Sequence, residues 1–320
     1  MKTERSTYGQ LDPQLAEILA IAEKAGRPPL ESLPVQEARR EYRKRADMFG
    51  LPPTEMFATM ERSVAGPAGP VPVRFYVPVG VPDPSPLLVF FHGGGWTVGD
   101  RDTHDRACRH FAEKARCRVA SVDYRLAPEH RFPAAVEDCW AAYAAIAADP
   151  GRWDADPRRI AVGGDSAGGN LAAVVAQTAK AGKAPAPCFQ LLIYPAVDMA
   201  GVYASIERFG KGYLLTKAMI DSFLAHYAPE AAMRRDPRAS PLLAGSLAGL
   251  PPAFVQTAGF DPLQDEGAAY AKALAAAGVA AEHRHYSGLV HGYLQLAGYS
   301  KGARTAVDDA VAALRRAFQA

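Results

Sequence analysis

Apolar positions divide the chain into two textures. From about Asp12 to Met60 they recur at helical spacing: Leu15, Ile18, Leu19 and Ala22 fall at i, i+3, i+4 and i+7, one stripe of an amphipathic helix. Arg27-Pro28-Pro29 ends that helix, since proline cannot donate the amide hydrogen bond of a continuing turn. A second helical stretch runs from about Pro34 to Phe49, and Gly50-Leu51-Pro52-Pro53 breaks it. Residues 1–60 show no strand pattern and read as a helical appendage to the domain that follows, residues 61–320.

From Val71 the period shortens. Val73–Val77 alternates like a half-buried strand, while Leu87–Phe91 is apolar throughout, as a strand buried on both faces must be. Further strands are predicted at Arg118–Asp123, Ile160–Gly163, Phe189–Tyr194, Ala253–Ala258 and Ala281–Tyr286. Helices are predicted at Pro133–Ala148, Ser166–Ala181, Gln264–Ala277 and Thr305–Phe318. Gly182 and Gly278 stand where the left-handed residue after a helix is favoured. This alternation predicts the α/β class: a mostly parallel central sheet with helices on both faces. Between Pro195 and Pro252 the alternation stops, leaving Tyr213-Leu214-Leu215-Thr216, a helix over Thr216–Tyr227 and proline-rich turns. That stretch reads as an insertion, centred on about residues 196–230.

Charge narrows the function classes. A net charge of +2 argues against nucleic acid as a partner, since such binding requires a clustered positive excess. The densest basic run, Arg39-Arg40-Glu41-Tyr42-Arg43-Lys44-Arg45, is interleaved with acids and is expected to be a solvated helix face. The four cysteines form no C-x-x-C pair, so free thiols in a reducing compartment and no metal site are expected. The polar start Met1–Ser6 lacks an apolar signal region, and no apolar run approaches the roughly 20 residues of a membrane span. A cytoplasmic protein without an integral membrane segment is the expectation. Monomer and homodimer stay open, the second through an edge strand at 281–286.

The chemistry centres on Gly164-Asp165-Ser166-Ala167-Gly168, a G-x-S-x-G pattern between a predicted strand and a predicted helix. A sharp strand-to-helix turn strains its central residue and leaves no room for a Cβ at the flanking glycines, Gly164 and Gly168. It places the Ser166 hydroxyl at a helix N-terminus, where developing negative charge is favoured. His92-Gly93-Gly94-Gly95-Trp96 follows the buried strand Leu87–Phe91 and offers backbone N–H groups unobstructed by side chains. Acyl transfer needs such donors about 3 Å from the developing oxyanion. Gly94, Gly95 and Ala167 are the expected donors, and Gly93 can replace one of them.

A serine hydroxyl needs an adjacent base, and this motif goes with the chain order Ser, acid, His. His291, in Gly288-Leu289-Val290-His291-Gly292-Tyr293, follows the last predicted strand and is the candidate. His283 and His285 lie within that strand, His226 within the insertion and His92 in the glycine loop; all four read as structural. Two acids compete, Asp261 after one strand and Asp198 after another, with Asp261 favoured because its loop precedes His291 most closely. Asp265 and Glu266 suit the first turn of a helix.

These segments, with Asp123-Tyr124-Arg125-Leu126-Ala127-Pro128-Glu129 and Asp261-Pro262-Leu263-Gln264-Asp265-Glu266, together resemble the hormone-sensitive lipase family of α/β-hydrolases, the bacterial carboxylesterases. The resemblance spans about residues 70–295. It implies the α/β-hydrolase fold, a triad of Ser166, Asp261 and His291, and hydrolysis of short- to medium-chain acyl esters without a cofactor. It also implies a cap built from the N-terminal helices and the insertion after Pro195. Tyr293 departs from the Phe common at that position while keeping an aromatic body. Asp123–Glu129 is read as structural, with Arg125 bracing backbone or a buried acid. Trp96, Asp165, Tyr213, Leu214, Leu215 and Val290 are expected in the substrate pocket, with Met48 and Phe49 as further candidates. Three rivals share the scaffold: an amide deacetylase or lyase, a binding module that lacks the histidine, and a lipase active at lipid interfaces.

Overall fold

A computed structural model describes residues 9–320. The polar stretch Met1–Ser6 lies outside them. Eight strands form one sheet in the order β1-β2-β4-β3-β5-β6-β7-β8. They span Ala58–Gly66 (β1), Gly69–Val77 (β2), Ser85–Phe91 (β3), Arg118–Val122 (β4), Ala155–Asp165 (β5), Gln190–Ile193 (β6), Ala253–Phe260 (β7) and Ala281–Val290 (β8). β1 pairs with β2, and β2 with β4, antiparallel; β4, β3 and β5 through β8 run parallel. The predicted mostly parallel sheet is therefore present, with an antiparallel hairpin added at one edge and β8 at the other.

The alternation of side chains explains why Leu87–Phe91 of β3 is apolar at every position. Leu87, Val89 and Phe91 point into one core, which includes Ala135, Leu171 and Leu274; Leu88 and Phe90 point into the other, with Phe111 and Val307. The first face is covered by α4 (Ala134–Ala148), α5 (Ala167–Thr178) and α9 (Gln264–Ala276). The second is covered by α3 (Asp105–Ala115) and α10 (Lys301–Gln319). Phe90 and Phe91 are fully buried, and truncating either to alanine is expected to cost about 3–5 kcal/mol.

The N-terminal helices are α1 (Pro13–Lys24) and α2 (Val35–Phe49). Asp12 caps α1 by accepting from the Gln14 and Leu15 amides at 2.9 and 3.1 Å, which fixes the predicted start. The helical appendage ends at Phe49, and β1 begins at Ala58, inside the stretch read as helical to Met60. The segment between β6 and β7 holds α6 (Ala204–Phe209), α7 (Lys217–Tyr227) and α8 (Ala231–Arg235). A small apolar cluster joins it to the N-terminal segment: Leu30 and Ala38 pack with Val98, Met219 and Phe223. No helix among the described residues is long and apolar enough to cross a membrane.

Candidate active site

Ser166 follows β5 and precedes α5, with φ 55° and ψ −118°. Such a backbone costs about 1–3 kcal/mol and persists only where the surroundings over-determine it. Here they do. The Ser166 amide donates to the Ile193 carbonyl at 2.9 Å, and its carbonyl accepts from the Asn170 and Ala196 amides at 3.0 and 3.2 Å. A Cβ on Gly164 would meet the Gly168 backbone and the Phe91 carbonyl, and one on Gly168 would meet the Phe91 carbonyl. Both glycines of the motif are thus required by the close passage of β3.

His291 follows β8. Its Nε2 lies 2.9 Å from Ser166 Oγ, and its Nδ1 lies 2.8 Å from Asp261 Oδ2. A carboxylate can only accept, so the proton is on Nδ1 and Nε2 is left to accept from the serine hydroxyl. Asp261 is fully buried after β7, and its other oxygen accepts from the Leu263 amide at 2.8 Å. Asp198 instead accepts from the Ala200 amide at 3.0 Å and the Tyr203 hydroxyl at 2.7 Å, both in its own loop. Of the two candidate acids, the structure brings Asp261 to the histidine.

The glycine loop after β3 carries three successive positive φ angles: 120° at Gly94, 58° at Gly95 and 55° at Trp96. The Thr97 and Val98 amides close the turn onto the Gly94 carbonyl at 3.1 and 2.9 Å. Among the described residues, the N–H groups of Gly94, Gly95 and Ala167 donate to no protein acceptor. Gly93 differs: its amide donates to Asp165 Oδ1 at 2.9 Å. That bond occupies the donor, so Gly93 does not replace either neighbour.

Asp165 borders the cleft, but its oxygens are committed. Besides Gly93 they face His104 Nε2 at 3.1 Å and the Tyr194 hydroxyl at 3.3 Å. Burial acts to raise its pKa, yet His104, the Gly93 amide and His92 together hold the carboxyl below its ordinary value. Asp165 is thus a brace between the serine turn and the glycine loop. His104 was missed in the sequence, where nothing marks it; only the buried acid in the motif hinted that some cation or N–H partner must exist.

His92 is structural, as read. Its Nδ1 lies 2.9 Å from the Gly93 carbonyl, and its ring stacks on Tyr124 at 4.3 Å. Burial, then the neighbouring His104, lowers its pKa. His283 and His285 both sit beside Thr257 Oγ1, at 2.9 and 3.0 Å, and His226 lies on α7. Arg125 grips Asp138 through Nε at 2.8 Å, the bracing role expected of it. Asp265 accepts from the Ser205 amide at 2.9 Å. Glu266 is buried and accepts from the Val197 amide at 2.7 Å, a link across loops that the dipole argument did not foresee.

A cleft of about 1220 Å³ opens above Ser166 and His291. Trp96, Tyr213, Leu214, Leu215, Met48 and Phe49 line it. Trp96 is held flat against Tyr227, ring centroids 4.7 Å apart. Val290 does not line it: it is fully buried beneath the site in the core beside Leu289 and Tyr293, because its side chain at the end of β8 faces the sheet's second layer. Phe223 of α7 lies directly over Gly95, where an added Cβ would strike its ring. Among the described residues no group of three or more His, Cys, Asp or Glu could hold a metal ion.

A family model described as the alpha/beta hydrolase fold matches residues 88–295. The chain belongs to the α/β-hydrolase family. The hydrolase is 50% identical over 260 residues to the carboxylic ester hydrolase LipN of Mycobacterium tuberculosis, covering 79% of this chain and 69% of that protein. It is 37% identical over 298 residues to an ethyl acetate hydrolase of Pseudomonas putida, covering 89% and 92%. A crystal structure of a variant α/β-hydrolase from the metagenome of Lake Arreo superposes with a TM-score of 0.94 at 42% identity, covering 98% of this chain and 100% of that one. The resemblance to hormone-sensitive lipase-type carboxylesterases read from the motifs is borne out by these relatives.

Proposed function

We propose that the chain hydrolyses short- to medium-chain acyl esters of small alcohols through an acyl-enzyme on Ser166. That it is a carboxylic ester hydrolase follows from its family and relatives. The observation that carries the mechanism is the continuous line from Ser166 Oγ through the His291 ring to Asp261, at 2.9 and 2.8 Å. In this reading Ser166 attacks the ester carbonyl as His291 Nε2 takes its proton. Asp261 holds the ring in the required tautomer and stabilises the imidazolium that forms. Negative charge gathers on the carbonyl oxygen, where the N–H groups of Gly94, Gly95 and Ala167 receive it. His291 then gives its proton to the leaving alcohol. Water repeats the sequence on the acyl-enzyme and frees Ser166.

Helices α1 and α2 and the segment after Pro195 act as a cap in this reading, since both line the cleft and pack on each other. The cleft is larger than the roughly 300–1,000 Å³ of typical small-molecule sites, so it accommodates an acyl chain and an alcohol together. A chain-length series of nitrophenyl esters on the wild type and on Ser166→Ala tests the proposal. Turnover should peak at short to medium acyl chains and vanish in the variant. Equal turnover of matching anilides would favour the amide reading instead.

A further inference from the structure

We infer that Arg39, on α2 of the N-terminal segment, is a positioning residue that holds and polarises the Gly95 N–H. The inference rests on the reading of Gly95 as an oxyanion donor. Arg39 belongs to the basic run expected to face solvent, yet its guanidinium turns inward. Its Nε donates to the Thr97 carbonyl at 2.9 Å, and its Nη2 to the Ala127 carbonyl at 2.9 Å. Both terminal nitrogens also grip Glu129, at 2.8 and 2.7 Å, and Gln36 adds a bond to the same carboxylate at 3.1 Å.

The peptide units that follow form a relay. The Thr97 carbonyl that accepts from Arg39 shares its peptide plane with the Val98 N–H, which donates to the Gly94 carbonyl at 2.9 Å. The Gly94 carbonyl in turn shares its plane with the Gly95 N–H. A positive charge at one end therefore aligns two successive amide dipoles toward the expected oxyanion, and hydrogen-bonded amides polarise one another in a buried setting. A second contact braces the same atom by position alone, since the Ala127 carbonyl and amide belong to different peptide planes. Ala127, held through its carbonyl by Arg39, donates its amide to the Trp96 carbonyl at 2.8 Å, and the Thr97 N–H of that plane reaches the Gly94 carbonyl at 3.1 Å. The planar fork of arginine, through Nε and both terminal nitrogens, serves two carbonyls and a carboxylate at once, which a lysine ammonium on a flexible stem cannot reproduce. The stretch Asp123–Glu129 gains a purpose here: its Ala127 and Glu129 are what Arg39 holds against the glycine loop. Docking of an N-terminal helix is thereby tied to the readiness of the oxyanion site.

The test uses the full chain with Arg39→Ala, Arg39→Lys, Glu129→Gln and, as a control on the exposed side of the same helix, Arg40→Ala. Each is assayed for nitrophenyl butyrate turnover and for affinity toward an alkyl trifluoromethyl ketone, which becomes tetrahedral on the serine. A donor lost outright costs about a hundredfold to a thousandfold, so a donor left in place but loosely held should cost Arg39→Ala about tenfold to a hundredfold in kcat. Affinity for the ketone should fall by the same factor, with KM within about twofold of wild type. Arg39→Lys recovers part of the loss, Glu129→Gln shows a smaller loss with the same split, and Arg40→Ala matches wild type. If Arg39→Ala does not fold, the lysine and glutamine variants decide by the same kcat-against-KM split. An unchanged kcat, or a rise in KM alone, overturns the inference. Ser166→Ala is run alongside: residual turnover there would overturn the underlying reading, whereas an inactive Ser166→Ala with unimpaired Arg39 variants overturns only the role of Arg39.

Discussion

At the scale of single residues, the site depends on two contrasts that distances decide. Asp261 reaches His291 and Asp198 does not. Replacing Asp261 by asparagine would present the wrong donor pattern to Nδ1, and a loss on the order of a thousandfold to ten-thousandfold in kcat is expected. Asp198→Asn should stay within a few-fold of wild type, and steady-state kinetics on both variants separates them. The second contrast concerns glycines. Gly168→Ala forces a methyl group into the Phe91 carbonyl, so it should lower the melting temperature by several degrees as well as activity; an unchanged thermal transition would contradict the packing argument. Motif and chain order singled out Ser166, Asp261 and His291 in the sequence, and the structure sets His291 within hydrogen-bond reach of the other two. Sequence alone could not tell that the Gly93 amide is occupied by Asp165, or that Val290 faces inward, since both depend on how separate segments meet.

At the scale of elements, the helix and strand periods located most of the sheet. Four elements escaped, β1, α3, α6 and α8, for different reasons. β1 is an edge strand whose exposed positions carry Thr59, Glu61 and Ser63, so it has no continuous apolar signal. α3 buries Ala107, Cys108, His110, Phe111, Ala112 and Ala115, of which only Phe111 is both large and apolar, and its polar face dominates the pattern. The helices α6 and α8 are too short to show a period. α7 was legible, and Phe223 gives it a consequence. With that ring lying over Gly95, Phe223→Ala should open the cleft beside the reacting carbon. The ratio of kcat/KM for octanoyl over acetyl nitrophenyl ester is expected to rise about tenfold, the scale on which a pocket discriminates a few methylenes. An unchanged ratio would remove Phe223 from the specificity surface.

At the scale of the whole molecule, pH acts on buried groups in opposite senses. Burial pushes the Glu266 carboxyl well above its ordinary value, and the nearby Asp198 and Asp261 add to the rise. The folded state therefore holds that proton more tightly than the unfolded chain. Its stabilising contribution is complete below the unfolded value of 4.5 and is lost as pH rises toward the raised folded value. Asp165 runs the other way: its lowered pKa gives stability above 3.8 that is lost on acidification. Glu266→Gln keeps an oxygen for the Val197 amide but has no proton to lose, so its melting temperature relative to wild type should climb from pH 5 to pH 8. A constant difference across that range would show that Glu266 does not titrate with folding. The central claim, that Ser166 forms the acyl-enzyme, is tested most directly by trapping. Treating the enzyme with a nitrophenyl alkylphosphonate and mapping the peptides by mass spectrometry should place one phosphonyl group on Ser166, in step with loss of activity. Inactivation with the adduct on any other residue, or full labelling of Ser166 with activity retained, would contradict it.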